Sequence, residues 1–75
     1  MNIGNVPFNQ LKIGDKVISC SGKPGHIAGL YPVGSKDPLG NNYDDWGGGI
    51  LFLWYGLTWS IAGHSDLEVQ YKEND

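Results

Sequence analysis

The chain has 75 residues, which is enough for one small domain and too few for a second hydrophobic core. Its formal net charge is −3 and it has no arginine, which argues against a nucleic-acid surface built on clustered Arg contacts. The single cysteine, Cys20, excludes an internal disulfide and suits a reducing compartment, and we expect it to be a small buried strand residue. The sequence shows no signal peptide and no apolar run of bilayer length, so we expect a cytoplasmic protein.

Residues 1–10 are interpreted as a lead-in to the domain. Phe8 and Leu11 lie three apart after Pro7, a spacing that predicts one helical or 3₁₀ turn at an end of the fold. The twelve glycines and four prolines argue against long helices. The lead-in is therefore expected to plug one end of the barrel with this single turn.

The next stretch predicts two short strands, Lys16–Cys20 and His26–Tyr31, because both are rich in β-branched and apolar residues. The turn dipeptide Gly14-Asp15 precedes the first strand, since Gly tolerates positive φ and Asp bonds nearby backbone N–H groups. The segment 21–25 is expected to reverse the chain, with Pro24 fixing its own φ inside the turn. A hairpin follows from this pattern.

Val17 and Ile27 are expected to point inward from this hairpin. The pattern Leu-x-x-Gly-Asp-x-Val, followed by Gly-x-x-Gly-x-Ile, resembles the opening hairpin of SH3-like small barrels of the KOW and Tudor type. The motif covers Leu11–Leu30. The resemblance implies a small barrel, and its KOW branch implies nucleic-acid binding. Such barrels carry basic loops, whereas the lysines of this chain are scattered: Lys12, Lys16, Lys23, Lys36 and Lys72.

From Pro32 to Gly49 the sequence shows no strand pattern, and a segment of that length is usually functional or mobile. One interpretation is a solvated loop whose Trp46 folds back onto the domain. The other is a recognition loop, in which aromatic rings provide contact area and carboxylates select a basic partner. Gly47–Gly49 is either a hinge or a close crossing of backbones. We expect the loop to be more mobile than the strands.

Two apolar runs, Ile50–Tyr55 and Leu57–Ile61, predict a second hairpin. The second run alternates cleanly, so we expect its apolar residues on the core face: Leu57, Trp59 and Ile61. With a two-residue turn at Tyr55-Gly56, the first run also faces inward through Ile50, Phe52 and Trp54.

That register leaves Leu51, Leu53 and Tyr55 outward, and we favour it because it buries more aromatic surface. A three-residue turn with a glycine bulge is the alternative, and it turns Ile50, Phe52 and Trp54 outward instead. In either register three apolar side chains of one strand face away from the core, which is typical of an interface. The alternative is that the long loop folds back and covers this face with Trp46, Tyr43 or Leu39.

The last part of the chain predicts a 3₁₀ turn at 62–65 and a final strand, Leu67–Tyr71, before a charged tail at 72–75. Leu67, Val69 and Tyr71 are expected to face inward. A hairpin, a long loop, a second hairpin, a 3₁₀ turn and a last strand form the element order of an SH3-like barrel. We therefore expect an all-β, SH3-like small barrel of about five strands over residues 11–71.

No catalytic or metal site is expected. Ser60, His64 and Asp66 are the residue types of a hydrolase triad, but so short a stretch of strand and turn does not bring their side chains together. The histidines and acidic residues lack the spacing of metal ligands. The turn at 22–25 lacks the helix that a phosphate-binding loop needs. We predict a non-enzymatic protein without a cofactor.

The function predicted from the sequence is a small protein-interaction module, an adaptor or inhibitor that binds a protein partner or a second copy of itself. Its binding residues are predicted in the acidic-aromatic loop and on the outward strand face: Tyr43, Asp44, Asp45, Trp46, Leu51, Leu53 and Tyr55. Alternatives are a KOW-like nucleic-acid-binding module and an oligomer that binds a small molecule stacked on Trp46 or Tyr43. The acidic composition and apolar strand also resemble accessory proteins of phages and other mobile elements.

Overall fold

The computed structural model describes residues 1–55, 58–66 and 69–72, and this part of the chain is all-β. Five antiparallel strands form one sheet in the order β4-β3-β2-β1-β5. The strands are β1 (Lys16–Ile18), β2 (Pro24–Tyr31), β3 (Gly49–Trp54), β4 (Thr58–Gly63) and β5 (Gln70–Lys72). Four 3₁₀ turns accompany them, at Ile3–Asn5, Phe8–Gln10, Asp44–Trp46 and His64–Asp66.

This order confirms the predicted sequence of elements: a hairpin, a long loop, a second hairpin, a 3₁₀ turn and a last strand. The 3₁₀ turn expected around Phe8 is also present. β4 and β5 form the two ends of the sheet and do not pair in the described ranges, so closure into a barrel stays a prediction. No helix among the described residues has the length and hydropathy needed to cross a membrane.

The first hairpin forms as the sequence predicts. Gly14 has φ of 97° and donates its N–H to the carbonyl of Ile27 at 2.8 Å. Asp15 accepts a hydrogen bond from the backbone N–H of Lys12 at 2.9 Å, so the turn before β1 has the bonds expected of it. Val17 and Ile27 are buried in the core, as predicted.

Two predictions about the reversal between β1 and β2 are wrong. Pro24 lies opposite Ile18 as the first residue of β2 and not within the turn, a position that proline tolerates because it needs no ladder N–H there. The turn is closed instead by the N–H of Ser19, which donates to the carbonyl of Lys23 at 2.9 Å. Because β1 ends at Ile18, Cys20 lies in this turn and is exposed rather than buried in a strand.

The second hairpin confirms the inward face of β3 and corrects the facing of β4. Ile50, Phe52 and Trp54 are buried, as in the favoured register, so the alternative that turns them outward is wrong. Their partners in β4 are Ala62, Ser60 and Thr58, respectively.

Trp59 and Ile61 were predicted to lie in the core, and that prediction is wrong. Trp59 lies opposite Leu53 and Ile61 lies opposite Leu51, so both side chains are on the outer face. Three residues, 55–57, separate the paired ends of the strands instead of two. A shift of one residue moves every side chain of a strand to the other face. The third predicted inward residue, Leu57, lies outside the described residues.

The N-terminal segment is a larger part of the fold than a lead-in. Ile3 and Val6 belong to the buried core. They share it with residues of β1, β2 and β3 and with Val69, which directly precedes β5. The N–H of Ile3 donates to the carbonyl of Val69 at 2.8 Å, and the N–H of Tyr71 donates to the carbonyl of Met1 at 2.7 Å. Residues 1–3 therefore cover the outer edge of β5. The core comprises Ile3, Val6, Leu11, Val17, Ile27, Ile50, Phe52, Trp54 and Val69.

Candidate functional site

The long loop between β2 and β3 is organised around the carboxylate of Asp37. One oxygen accepts the backbone N–H groups of Leu39 and Asn41, both at 2.9 Å, and the other accepts the hydroxyl of Tyr43 at 2.8 Å. An isolated bridge between Lys36 and Asn42 closes the same turn. The loop therefore has a defined internal structure, although it has no strand of its own.

These hydrogen bonds shift the acidity of both partners. Burial raises the pKa of Asp37, but the hydrogen bonds from Asn41, Tyr43 and Leu39 stabilise the carboxylate, and the net pKa lies below its usual value. The pKa of Tyr43 is raised, chiefly because its hydroxyl donates to Asp37 and secondly because the ring is partly removed from water. The charged form of Asp37 and the neutral form of Tyr43 thus hold the loop together.

Two rings from the loop lie on two glycines of the sheet. Gly49 of β3 and Gly63 of β4 are directly opposite each other, and both face outward. A Cβ atom at Gly49 would overlap the ring of Tyr43, and one at Gly63 would overlap the side chain of Trp46. Only glycine leaves room for both rings, so this pair forms the floor on which the loop is anchored.

The rest of the glycine run also packs closely. Gly48 has φ of 118° and donates its N–H to the carbonyl of Tyr43 at 3.0 Å. A Cβ atom at Gly48 would come within 2.7 Å of the ring of Phe8. These contacts favour the close-crossing interpretation of Gly47–Gly49 over a hinge.

Beyond the two rings, the outer face of β3 and β4 stays open and apolar. Trp59 is 60% exposed and Trp46 is 43% exposed, whereas their neighbours on this face are half-buried. From β2, the hydroxyl end of Tyr31 reaches over Gly29 and lies beside Leu51. We call this surface the aromatic platform and define it by Tyr31, Tyr43, Trp46, Leu51, Leu53, Trp59 and Ile61.

Four of the seven predicted binding residues lie on the aromatic platform: Tyr43, Trp46, Leu51 and Leu53. Asp44 and Asp45 are exposed in the 3₁₀ turn next to it, and Asp44 also accepts the N–H of Gly34 at 2.8 Å. Tyr55 is exposed after the opposite end of β3, and its N–H donates to the carbonyl of Pro24 at 3.1 Å. The acidic pair and Tyr55 thus lie at opposite ends of β3.

Three residues of the platform were missed: Tyr31, Trp59 and Ile61. The alternation of residues 57–61 has the right period, but a period does not say which set of side chains faces the core. The side chains on the inner face offered a signal. Trp54 is buried and donates its indole N–H to the hydroxyl of Ser60 at 2.7 Å, an acceptor that the predicted register would have turned outward.

Two of the residue types of a hydrolase triad, Ser60 and His64, make hydrogen bonds within the fold, and the side chain of Asp66 lies outside the described residues. His64 is buried, and its Nε2 lies 2.7 Å from the carbonyl of Val6 and 3.0 Å from that of Ile3, so Nε2 carries the proton and donates to them. Its ring also meets Phe8 edge-on, with centroids 5.6 Å apart. The hydroxyl of Ser60 accepts from Trp54. No cluster of metal-ligating side chains occurs in the described ranges.

The chain matches no known protein family, no curated protein and no solved structure at a significant level. The aromatic platform is therefore interpreted from its own geometry.

Proposed function

We propose that this chain is a small non-enzymatic module that binds a protein partner on the aromatic platform. The observation that carries the proposal is Trp59, the second residue of β4, which pairs with Leu53 and leaves 60% of its surface exposed. Large apolar patches on small proteins are typical of interaction surfaces, and tryptophan is the residue most enriched among those that dominate binding energy.

The platform is extended, as a protein-binding surface needs to be. From Gly63 to Trp59 along β4 it covers about 14 Å, at roughly 3.4 Å per residue. A second row on β3 runs beside it, with Leu51 opposite Ile61 and Leu53 opposite Trp59. Side chains in such cross-strand pairs support one another, so a partner meets a surface formed by several residues together.

The platform is also held in place before any partner arrives. The ring of Tyr43 packs on Gly49, and its hydroxyl donates a hydrogen bond to Asp37. Trp46 lies on Gly63 and still exposes 43% of its surface. Binding therefore loses less side-chain freedom than it would on a mobile loop, which favours affinity.

The charges beside the platform favour a particular kind of partner. Asp44 and Asp45 are exposed next to Trp46, and the whole chain carries a net charge of −3 without any Arg. These charges repel phosphate backbones and attract cationic side chains. We infer a partner that presents an apolar or aromatic side chain flanked by Lys or Arg.

The test is capture from cell lysate with the tagged chain and two variants. Trp59→Ala removes the most exposed ring of the platform. The matched control is Leu39→Ala, because Leu39 is 82% exposed in the loop and lies outside the platform. We expect the same partner to be retained by the wild type and the control and lost with Trp59→Ala, with a loss of affinity of about 2 kcal/mol or more in titration of the purified pair.

Equal retention by Trp59→Ala and the wild type would refute the platform as the binding site. If the chain captured nucleic acid in place of a protein, and this binding weakened steeply with salt, the proposal of a protein partner would be refuted. Circular dichroism of both variants checks that neither change unfolds the chain.

A further inference from the structure

The two ends of the sheet are treated differently. At β5, residues 1–3 run alongside and exchange backbone hydrogen bonds with Val69 and Tyr71. At β4, no strand or segment pairs with the outer edge in the part of the chain that the structure describes. This edge is six residues long, carries no charge and no proline, and pairs with β3 without a bulge. Proteins usually protect such edges because they template pairing with another chain.

The register identifies which backbone groups of β4 point to this edge. His64 donates its N–H to the carbonyl of Gly48 at 2.8 Å, one position beyond the paired strands. In an antiparallel ladder, hydrogen-bonded and non-hydrogen-bonded pairs alternate. Thr58, Ser60 and Ala62 therefore bond to β3, whereas the N–H and C=O groups of Trp59, Ile61 and Gly63 point away from the sheet.

We propose that this edge pairs with β4 of a second copy of the chain, antiparallel across a two-fold axis at Ile61. In this arrangement Ile61 pairs with Ile61 of the second copy, and Trp59 pairs with Gly63 of the second copy. Every outward backbone group of the described strand is then matched. Shifting the register by two residues in one direction would leave Gly63 without a partner inside β4, and in the other direction Trp59, so the Ile61-centred register forms more hydrogen bonds.

Side chains favour a second copy as the occupant. Trp59 would lie across from Gly63 of the second copy, where Trp46 of that copy already rests, so the two most exposed indoles would meet. Burial of aromatic surface is the largest single contribution that such an interface can make.

The charges fit the same arrangement. Lys23, directly before β2 in the chain, lies close in space to the start of β4, because its Nζ donates to the Thr58 hydroxyl at 3.3 Å. Asp44 and Asp45 lie near the other end of β4, beside Trp46. Antiparallel pairing brings the lysine end of each copy to the acidic end of the other, whereas parallel pairing would bring like charges together. The inference does not depend on the proposed partner, and it would join two aromatic platforms into one surface.

The experiment measures mass by sedimentation equilibrium over a wide range of protein concentration. We expect the wild type to approach twice the monomer mass of 8.2 kDa as concentration rises. Ile61→Lys and Ile61→Glu each place like charges against each other on the axis. Each variant alone should raise the dimer dissociation constant about tenfold or more, because like charges directly opposite in a sheet repel.

Mixing the two variants restores opposite charges on the axis, so we expect a heterodimer from the mixture. Leu39→Lys is the matched control, since it makes the same change at an exposed loop position and should associate as the wild type does. A wild type that stays monomeric, a dimer that neither Ile61 variant weakens, or a mixture no more associated than its components would each overturn the proposal.

Amide exchange of the wild type gives a second measurement that needs no variant. The N–H groups of Trp59, Ile61 and Gly63 should exchange more slowly as concentration rises, whereas that of Ser60 should change little. Rates independent of concentration at all three would overturn the proposed edge. Partner capture is measured separately on Trp59→Ala and Leu39→Ala, so failure of this inference and failure of the proposed function are distinguishable.

Discussion

Glutamate at two neighbouring positions of β3 should have opposite consequences for the fold. Phe52 is 1% exposed and lies between Ile27 of β2 and Ser60 of β4 on the inner face. Leu53 is half-buried on the aromatic platform, opposite Trp59. We expect Phe52→Glu to unfold the chain and Leu53→Glu to leave it folded but unable to bind its partner.

The magnitudes separate the two variants clearly. Truncating a buried Phe costs about 3–5 kcal/mol, and this ring also packs against Trp54 with centroids 5.3 Å apart. An unpaired carboxylate in the core costs several kcal/mol more. Their sum reaches the total stability of a small domain, which is roughly 5–15 kcal/mol.

For Leu53→Glu the loss is smaller because the new carboxylate stays at the surface. Only the buried part of one Leu is lost, about 1 kcal/mol. That loss corresponds to a fall in melting temperature of roughly 4–8 °C in a domain of this size. The introduced charge would nevertheless lie in the centre of the proposed binding surface, where desolvating it opposes binding.

Circular dichroism and thermal melting test the fold, and partner titration tests the surface. Leu53→Gln is the matched control, because it removes the same apolar contacts without adding a charge. If both glutamate variants unfold, the strand is buried on both faces within one chain and the platform is not available to a partner. If only Leu53→Glu unfolds, the two faces of β3 are assigned the wrong way round.

Two further predictions concern the anchoring of the loop. Gly63→Ala should lower the melting temperature, since overlap with Trp46 costs about 1–3 kcal/mol and outweighs the roughly 0.5–1 kcal/mol that Ala gains over Gly in a strand. Gly29→Ala should lower it less, because its new Cβ would meet the Tyr31 hydroxyl at 3.1 Å, the Leu51 Cβ at 3.3 Å and the Tyr31 ring at 3.4 Å without a severe overlap. Because the folded chain holds the pKa of Asp37 below its usual value of 3.8, its stabilisation is present above that pH and is lost as the pH falls through the folded pKa. Melting temperatures in acid should therefore fall more steeply for the wild type than for Asp37→Asn, and parallel curves would contradict this role of the carboxylate.

Much of the fold follows from local signals in the sequence. Glycine and aspartate mark the turn before β1, and runs of β-branched and apolar residues mark the first two strands with Val17 and Ile27 inward. The six apolar residues 50–55 do not alternate, so the inward face of β3 was chosen because it buries more aromatic surface. These signals act over a few residues, so they do not depend on knowing the rest of the fold. The order of elements follows from them directly.

The candidate site was only partly predictable, because it depends on contacts between distant parts of the chain. Tyr43 and Trp46 stand out as aromatic residues in a polar loop, but the two glycines beneath them gain their meaning only when β3 and β4 are paired. The N-terminal residues Ile3 and Val6 belong to a short segment without alternation, so their place in the core has no local signal. Cys20 was misplaced because a turn boundary moved by two residues.

The exposure of Trp59 follows from one register that satisfies two separate requirements. That register gives the buried indole of Trp54 a hydroxyl acceptor in Ser60. It aligns Gly49 with Gly63, so the rings of Tyr43 and Trp46 fit on the sheet. Turning Trp59 inward would shift β4 by one residue and break both arrangements, leaving an indole N–H without this acceptor and placing side chains where only glycine fits. The chain therefore keeps a large aromatic ring at its surface in every copy, and association with another protein surface is what would remove that ring from water.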